Sequence, residues 1–133
     1  MSTPTYVYKI VPSSTPPPTP LPERLPVSEL DNASGFLHLS TAVQIPRTLK
    51  RFFADADKVY ILRIEYKNIE KDTKWEHLTG AVGGVGEENV FPHLYNGLRL
   101  GHAEIESIVE WEQDSKGWDT AVEKARLESW LIY

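Results

Sequence analysis

Apolar and polar residues alternate in several short runs along the chain, and that two-residue period predicts strands. In Thr5 to Val11, Tyr6, Tyr8 and Ile10 share one face, and Val7, Lys9 and Val11 share the other. Gly35 to Ser40 (GFLHLS) reads as a short apolar strand with Phe36, His38 and Ser40 on one side and Leu37 and Leu39 on the other. Lys58 to Tyr66 has Tyr60, Leu62, Ile64 and Tyr66 on one face and Val59 and Ile61 on the opposite one. Apolar side chains on both faces place it at or near the centre of a sheet. Thr73 to Leu78, Phe91 to Tyr95 and Ile105 to Glu112 are further strand candidates. Pro92 lacks a backbone donor, which confines the second of these to an edge or a bend.

Elsewhere the period lengthens to that of a helix. Ile45, Leu49, Phe52 and Phe53 form a core-facing stripe. This helix starts either at the capping box Thr41-Ala42-Val43-Gln44 or at Pro46 as its first residue. From Ser115 onward, Trp118, Ala121, Val122, Ala125 and Ser129 line a second stripe, and Thr120 with Glu123 offers another capping box. Seven of the ten prolines lie between Pro12 and Pro26, so this stretch is expected to be a surface excursion without regular structure. Thr79 to Asn89 holds Gly80, Gly83, Gly84 and Gly86 and reads as a flexible loop. It starts like a dinucleotide fingerprint, but Asn89 stands where the third glycine belongs and no helix follows. Lys67 to Asp72 and Asn96-Gly97 read as turns.

The order of elements predicts an α+β domain: a mostly antiparallel or mixed sheet with helices packed on it. Residues 1–133 form one domain in this reading, with 12–27 as the proline-rich excursion and 116–133 as a C-terminal helical extension. The segments around Tyr8, His38, Leu62 and Ile108 are expected to share one sheet, with the Pro46–Ala54 helix against it.

Composition narrows the function classes. With 41% apolar and 25% charged residues, 133 residues suit one globular core. The absence of cysteine excludes disulfides, thiolate metal sites and cysteine nucleophiles. A net charge of −5 makes duplex nucleic acid a poor partner. Arg47, Lys50 and Arg51 share a helix face and read as its solvated back. No run approaches the roughly 18 apolar residues of a membrane span, and Met1–Thr5 does not start a secretory signal. The expected compartment is therefore cytoplasmic, or else nuclear, and Asn32-Ala33-Ser34 matches the glycosylation pattern by chance.

Candidate chemistry gathers at two segments. His38 sits mid-strand among apolar neighbours, just before Ser40, Thr41 and a helix start. Two readings stay open: a buried histidine bonded to backbone, or an imidazole that orients a ligand where free N–H groups favour anions. His93, Tyr95 and Phe91 share a face if their segment is extended, a wall suited to stacking a planar ligand. Glu76, after Trp75, is a carboxylate that can act as a base or steady a cation. His38, His93, His77 and His102 show neither an HExxH pattern nor close pairing, so no metal site is expected.

Taken together, these motifs resemble the uncharacterised family called domain of unknown function 952. The matching residues are Tyr8-Lys9-Ile10, Gly35 through Ala42 with Gln44, Thr48, Phe52-Phe53, Trp75-Glu76, Phe91 through Tyr95, and Gly97-Leu98. The match runs from about Tyr6 to Val109. The proline-rich run stands where the family usually has a tryptophan-bearing helix, and Asn96 stands where it has glycine. The resemblance implies a fold similar to the ADP-ribosyltransferase group, a split, mostly antiparallel sheet that grips NAD. RNA 2′-phosphotransferases of that group also carry a His-Leu-Ser fragment. By that resemblance His38 would hold ribose hydroxyls, Tyr8 and Lys9 would line the cleft, and Glu76 would stabilise an oxocarbenium-like transition state.

Three readings follow. One is a transferase acting on NAD, with Glu76 and His38 as catalytic residues. Another is a module binding a nucleotide or metabolite through Tyr8, Lys9, Ser40, Thr41, His93 and Tyr95 without turnover. The last is a protein-interaction domain. A polar pocket favours the first two, and a filled groove with satisfied histidines favours the last.

Overall fold

A computed structural model describes residues 2–133. The elements run β1 (Tyr6–Pro12), α1 (Glu29–Ser34), β2 (Leu37–His38), α2 (Ile45–Phe52), β3 (Lys58–Glu65), two 3-10 turns at Tyr66–Asn68 and Glu70–Asp72, β4 (Thr73–His77), β5 (Val90–Leu94), β6 (Ile105–Glu112) and α3 (Asp119–Leu127). The fold is α+β with antiparallel sheets.

There are two sheets where one was expected. The first has the order β1-β3-β6 and the second β2-β5-β4, with every pairing antiparallel. His38 therefore belongs to a different sheet from Tyr8, Leu62 and Ile108. After β2 the chain crosses back to the first sheet, where Ser40 and Tyr8 exchange backbone hydrogen bonds of 2.9 and 2.8 Å.

β3 is central, as its pattern predicts, and both of its faces are buried. Leu62 and Ile64 join Val7, Leu37, Leu39, Trp75, Val90 and Leu94 in a core between the sheets. Val59 and Ile61 join Tyr8, Ile45, Leu49, Trp111, Trp118 and Val122 in a second core beneath α2 and α3. Each fully buried aliphatic or aromatic side chain here contributes about 1.5–3 kcal/mol of transfer free energy.

Several local expectations are corrected. Pro92 lies in the central strand of the second sheet, not at an edge. Its carbonyl accepts from Leu39 N at 3.1 Å, on the side where β2 has already ended. In an antiparallel strand a residue's N and O point to the same side, so the missing donor costs only the reciprocal bond to the Leu39 carbonyl and leaves the ladder with β4 intact. Phe52 is 64% exposed and lies outside the α2 stripe, with the Arg51 guanidinium 5.3 Å from its ring centre. The Thr41–Gln44 box is made reciprocally, at 3.0 and 3.3 Å, but across the turn that leads into α2. Thr120 lies inside α3 rather than at its cap, and Ser129 falls beyond the helix with φ 57°.

Beyond Pro12, which ends β1, the proline-rich stretch holds no helix or strand, and Ser13–Thr15 and Pro18–Pro20 are exposed. Its second half packs nevertheless. Leu21 and Leu25 lie against the inter-sheet core, Leu25 N donates to Leu100 O at 2.8 Å, and His102 N donates to Pro22 O at 2.9 Å. It is followed by the unforeseen α1. Ser28 accepts from Asp31 N at 3.1 Å to cap it, and Gly35, at φ 80°, closes it by donating to Asp31 O.

Candidate functional site

Strand alternation gives the second sheet two unlike faces. Leu37, Trp75, Val90, Pro92 and Leu94 are buried on the inner face. The outer face carries His38, Lys74, Glu76, Phe91 and His93, since residues two apart share a side. His38 and His93 stand directly opposite each other across the β2–β5 pairing, and Lys74 stands opposite His93 on the other side.

Each histidine is backed by its own carboxylate. His93 Nδ1 donates to Glu76 Oε1 at 2.8 Å, and Tyr95 Oη donates to the same oxygen at 2.6 Å. His38 Nδ1 donates to Asp31 Oδ1 at 2.6 Å, and the His38 backbone N–H adds a bond to that atom at 3.2 Å. Lys9 Nζ lies 2.7 Å from Asp31 Oδ2 as an ion pair and donates to the His38 carbonyl at 3.1 Å. With Nδ1 of each ring committed as a donor, Nε2 of each neutral imidazole is an acceptor.

The aromatic rings lie close together. The two imidazole centres are 5.2 Å apart and nearly edge-to-face. Phe36 stacks on His93 at 4.3 Å and sits 4.7 Å from His38 and 4.9 Å from Tyr95. Lys74 Nζ lies 4.5 Å from the Tyr95 ring centre.

Electrostatics follows from these partners. Burial works to raise the Asp31 carboxyl, but the His38 hydrogen bond and the Lys9 charge prevail and hold it at about 2. For Glu76, burial is again outweighed, by the Tyr95 and His93 hydrogen bonds, and its carboxyl lies below the usual range. Burial lowers His93, reinforced by neighbouring His38 and opposed by Glu76. The Tyr95 phenol is pushed up to about 12, by loss of solvent and then by the carboxylate it donates to.

Of the residues singled out in the sequence, the structure gathers His38, His93, Tyr95 and Glu76, with Lys9 beneath Asp31. It does not bring Tyr8, Ser40 or Thr41 among them. The Tyr8 side chain points into the other core, where its hydroxyl donates to Trp130 O at 2.9 Å and accepts from Ile132 N at 3.0 Å. Ser40 and Thr41 are buried at the approach to α2, with Ser40 Oγ 3.4 Å from Thr48 Oγ1. In place of an open pocket, Phe36 covers the imidazoles. Two depressions of the surface lie elsewhere, one lined by Pro4, Glu65 and Tyr66 and the other along α3. Among the described residues, no three His, Asp or Glu side chains gather as a metal cluster.

Sequence reasoning missed Asp31, Phe36 and Lys74. For Asp31 a signal exists: Ser28 three residues before it and Gly35 four after it mark a short helix. That helix lifts Asp31 onto the His38 backbone.

This combination defines a class: a small α+β domain with two antiparallel sheets, one bearing a pair of carboxylate-backed imidazoles on its outer face. The model of the family described as "Protein of unknown function (DUF952)" matches residues 22–108, and the chain belongs to that family. The X-ray structure of protein CC0527 from Caulobacter crescentus is similar, with 25% identity over 90% of this chain and 99% of that one, at a TM-score of 0.66. The solution NMR structure of CC0527 covers 92% of this chain and 98% of that one at a TM-score of 0.68. None of the curated proteins matches the chain. Among the described residues, no helix is long and apolar enough to cross a membrane.

Proposed function

We propose that the outer face of the second sheet binds a nucleotide, with Nε2 of His38 and His93 hydrogen-bonding its oxygens and Lys74 facing its phosphate. The observation that carries this reading is the pair of histidines opposite each other, each with Nδ1 fixed by a separate carboxylate. Such fixing leaves Nε2 of each ring without a hydrogen-bond partner, and two carboxylate-backed imidazoles are more than core filling requires. The resemblance to the ADP-ribosyltransferase group supports ADP-ribose or NAD as the ligand, as fold-level analogy. In that form of the reading Glu76 stabilises an oxocarbenium-like state. Its Oε1 already accepts from both Tyr95 and His93, which favours Glu76 as the holder of the site over a group that faces the sugar.

A protein-interaction role is the second reading, and the Phe36 ring laid across three other rings favours it. Calorimetric titration with ADP-ribose and NAD separates the two. The nucleotide reading expects binding that His38→Ala weakens at least tenfold while thermal unfolding stays cooperative. No binding of either compound, or equal binding by the variant, would remove it.

A further inference from the structure

The two imidazoles differ in one respect that bears on reaction chemistry. His93 is 5% exposed and lies under Phe36, whereas 31% of the His38 side chain is open to solvent. Neither Nε2 is sealed away. Apart from Asp31 Oδ2, which has the Lys9 ammonium as its ion-pair partner, no buried side-chain N or O among the described residues lacks a hydrogen-bond partner. Both unbonded Nε2 atoms therefore reach the surface.

Transfer of ADP-ribose from NAD expels nicotinamide as a neutral molecule, and that leaving group needs no proton. Two carboxylate-backed imidazoles exceed what such a reaction uses. They match a reaction in which one oxygen must lose a proton while another gains one. Displacement at a phosphodiester is such a reaction: the attacking water is deprotonated and the departing alkoxide is protonated. Lys74, directly across the β4–β5 pairing from His93, supplies a cation on the same face. In contrast to the chain's net charge of −5, the four ionised side chains nearest the rings, Lys9, Lys74, Asp31 and Glu76, sum to zero, so an anionic ligand meets no net repulsion there.

We infer that His93 and His38 act as general base and general acid in hydrolysis of a phosphodiester, with a nucleoside 2′,3′-cyclic phosphate as the substrate class. This deepens the proposed nucleotide-binding reading and rests on it. His93 Nε2 takes a proton from water as the water oxygen forms a bond to phosphorus. The bond from phosphorus to one ribose oxygen breaks, and that oxygen takes a proton from Nε2 of His38, which enters the step as the imidazolium. The product is a nucleoside phosphomonoester, and proton exchange with solvent resets the pair. Asp31 and Glu76 hold the rings and stabilise each in its protonated form, and Lys74 neutralises the non-bridging oxygens.

The test compares 2′,3′-cyclic AMP with thymidine 5′-p-nitrophenyl phosphate, whose leaving group departs without a proton. Binding of adenosine 3′-monophosphate is measured in parallel by calorimetry. The wild-type chain is expected to hydrolyse both esters. His38→Gln is expected to lose about 10²–10⁴-fold on the cyclic phosphate and less than tenfold on the nitrophenyl ester. His93→Gln is expected to lose on both, and Lys74→Ala to raise KM. Binding of the monophosphate without hydrolysis of either ester would overturn the acid–base inference while leaving the nucleotide reading intact. Hydrolysis that His38→Gln reduces equally on both esters would remove His38 as the acid. No binding and no hydrolysis would end both.

Discussion

Asp31→Asn tests the electrostatic design of the site, because it keeps the side chain's size and one acceptor while removing the charge. Asp31 is 1% exposed and is reached by His38 Nδ1, the His38 backbone N–H and the Lys9 ammonium. Its carboxyl is held at about 2, against the ordinary aspartate value of 3.8. At about 1.4 kcal/mol per unit of pKa, the interactions that favour the charged form supply about 2 kcal/mol at neutral pH. A folded-state value below the unfolded one means that this contribution is complete above about pH 5. It is lost as the pH falls through about 2, with roughly half remaining near pH 3. Urea unfolding at pH 7 should show the variant less stable by about 2 kcal/mol, with the slope unchanged. At pH 3 the gap should close to about 1 kcal/mol. Equal stability at pH 7, or a gap that stays constant down to pH 3, would refute the argument that charge pairing rather than packing keeps Asp31 in place.

Other consequences follow from the same geometry. Glu76→Gln should lower the Tyr95 phenol from about 12 in part, since loss of solvent remains, read by carbon-13 NMR of the ring carbon bearing the hydroxyl; an unmoved value would mean that Glu76 does not contribute to it. Tyr8→Phe should cost about 1–2 kcal/mol in urea unfolding, because the hydroxyl both donates to Trp130 O and accepts from Ile132 N. Gly101→Ala should cost about 1–3 kcal/mol, since an added Cβ meets the Glu23 carbonyl of the packed half of the proline-rich stretch. Shortening the loop within Ser13–Pro20 should change stability by less than about 1 kcal/mol, because its residues are largely exposed.

What the sequence reveals here follows the range of the interactions involved. The two buried faces of β3 are written in its own residues, and so is the sharing of a face by His93 and Tyr95. That His38 meets His93 depends on the register of β2 against β5, set by residues more than fifty positions apart, which no local pattern encodes. The same holds for the split into two sheets, since Ser40 pairs with Tyr8 only after the chain has turned away from β5. Tyr8 looked like a cleft residue by resemblance, yet alternation along β1 already set its side chain opposite to Lys9. Pro92 was misplaced because the rule against proline in central strands assumes a full-length neighbour, and β2 is two residues long. Asp31 was overlooked because the prolines before it drew the whole stretch into one irregular segment, although its capping signals were present.

The most direct test of the central claim is a titration of nitrogen-15-labelled protein with a nucleoside monophosphate, following the histidine ring nitrogens by NMR. The free protein should show Nδ1 of both His38 and His93 protonated, with Nε2 of His93 bare. Added ligand should move the Nε2 signals of both together with the Lys74 and Tyr95 amides, leaving His77 and His102 unmoved. Signals of His38 and His93 that stay fixed while the ligand saturates, or movements confined to the groove lined by Pro4, Glu65 and Tyr66, would contradict a nucleotide site on the outer face of the second sheet.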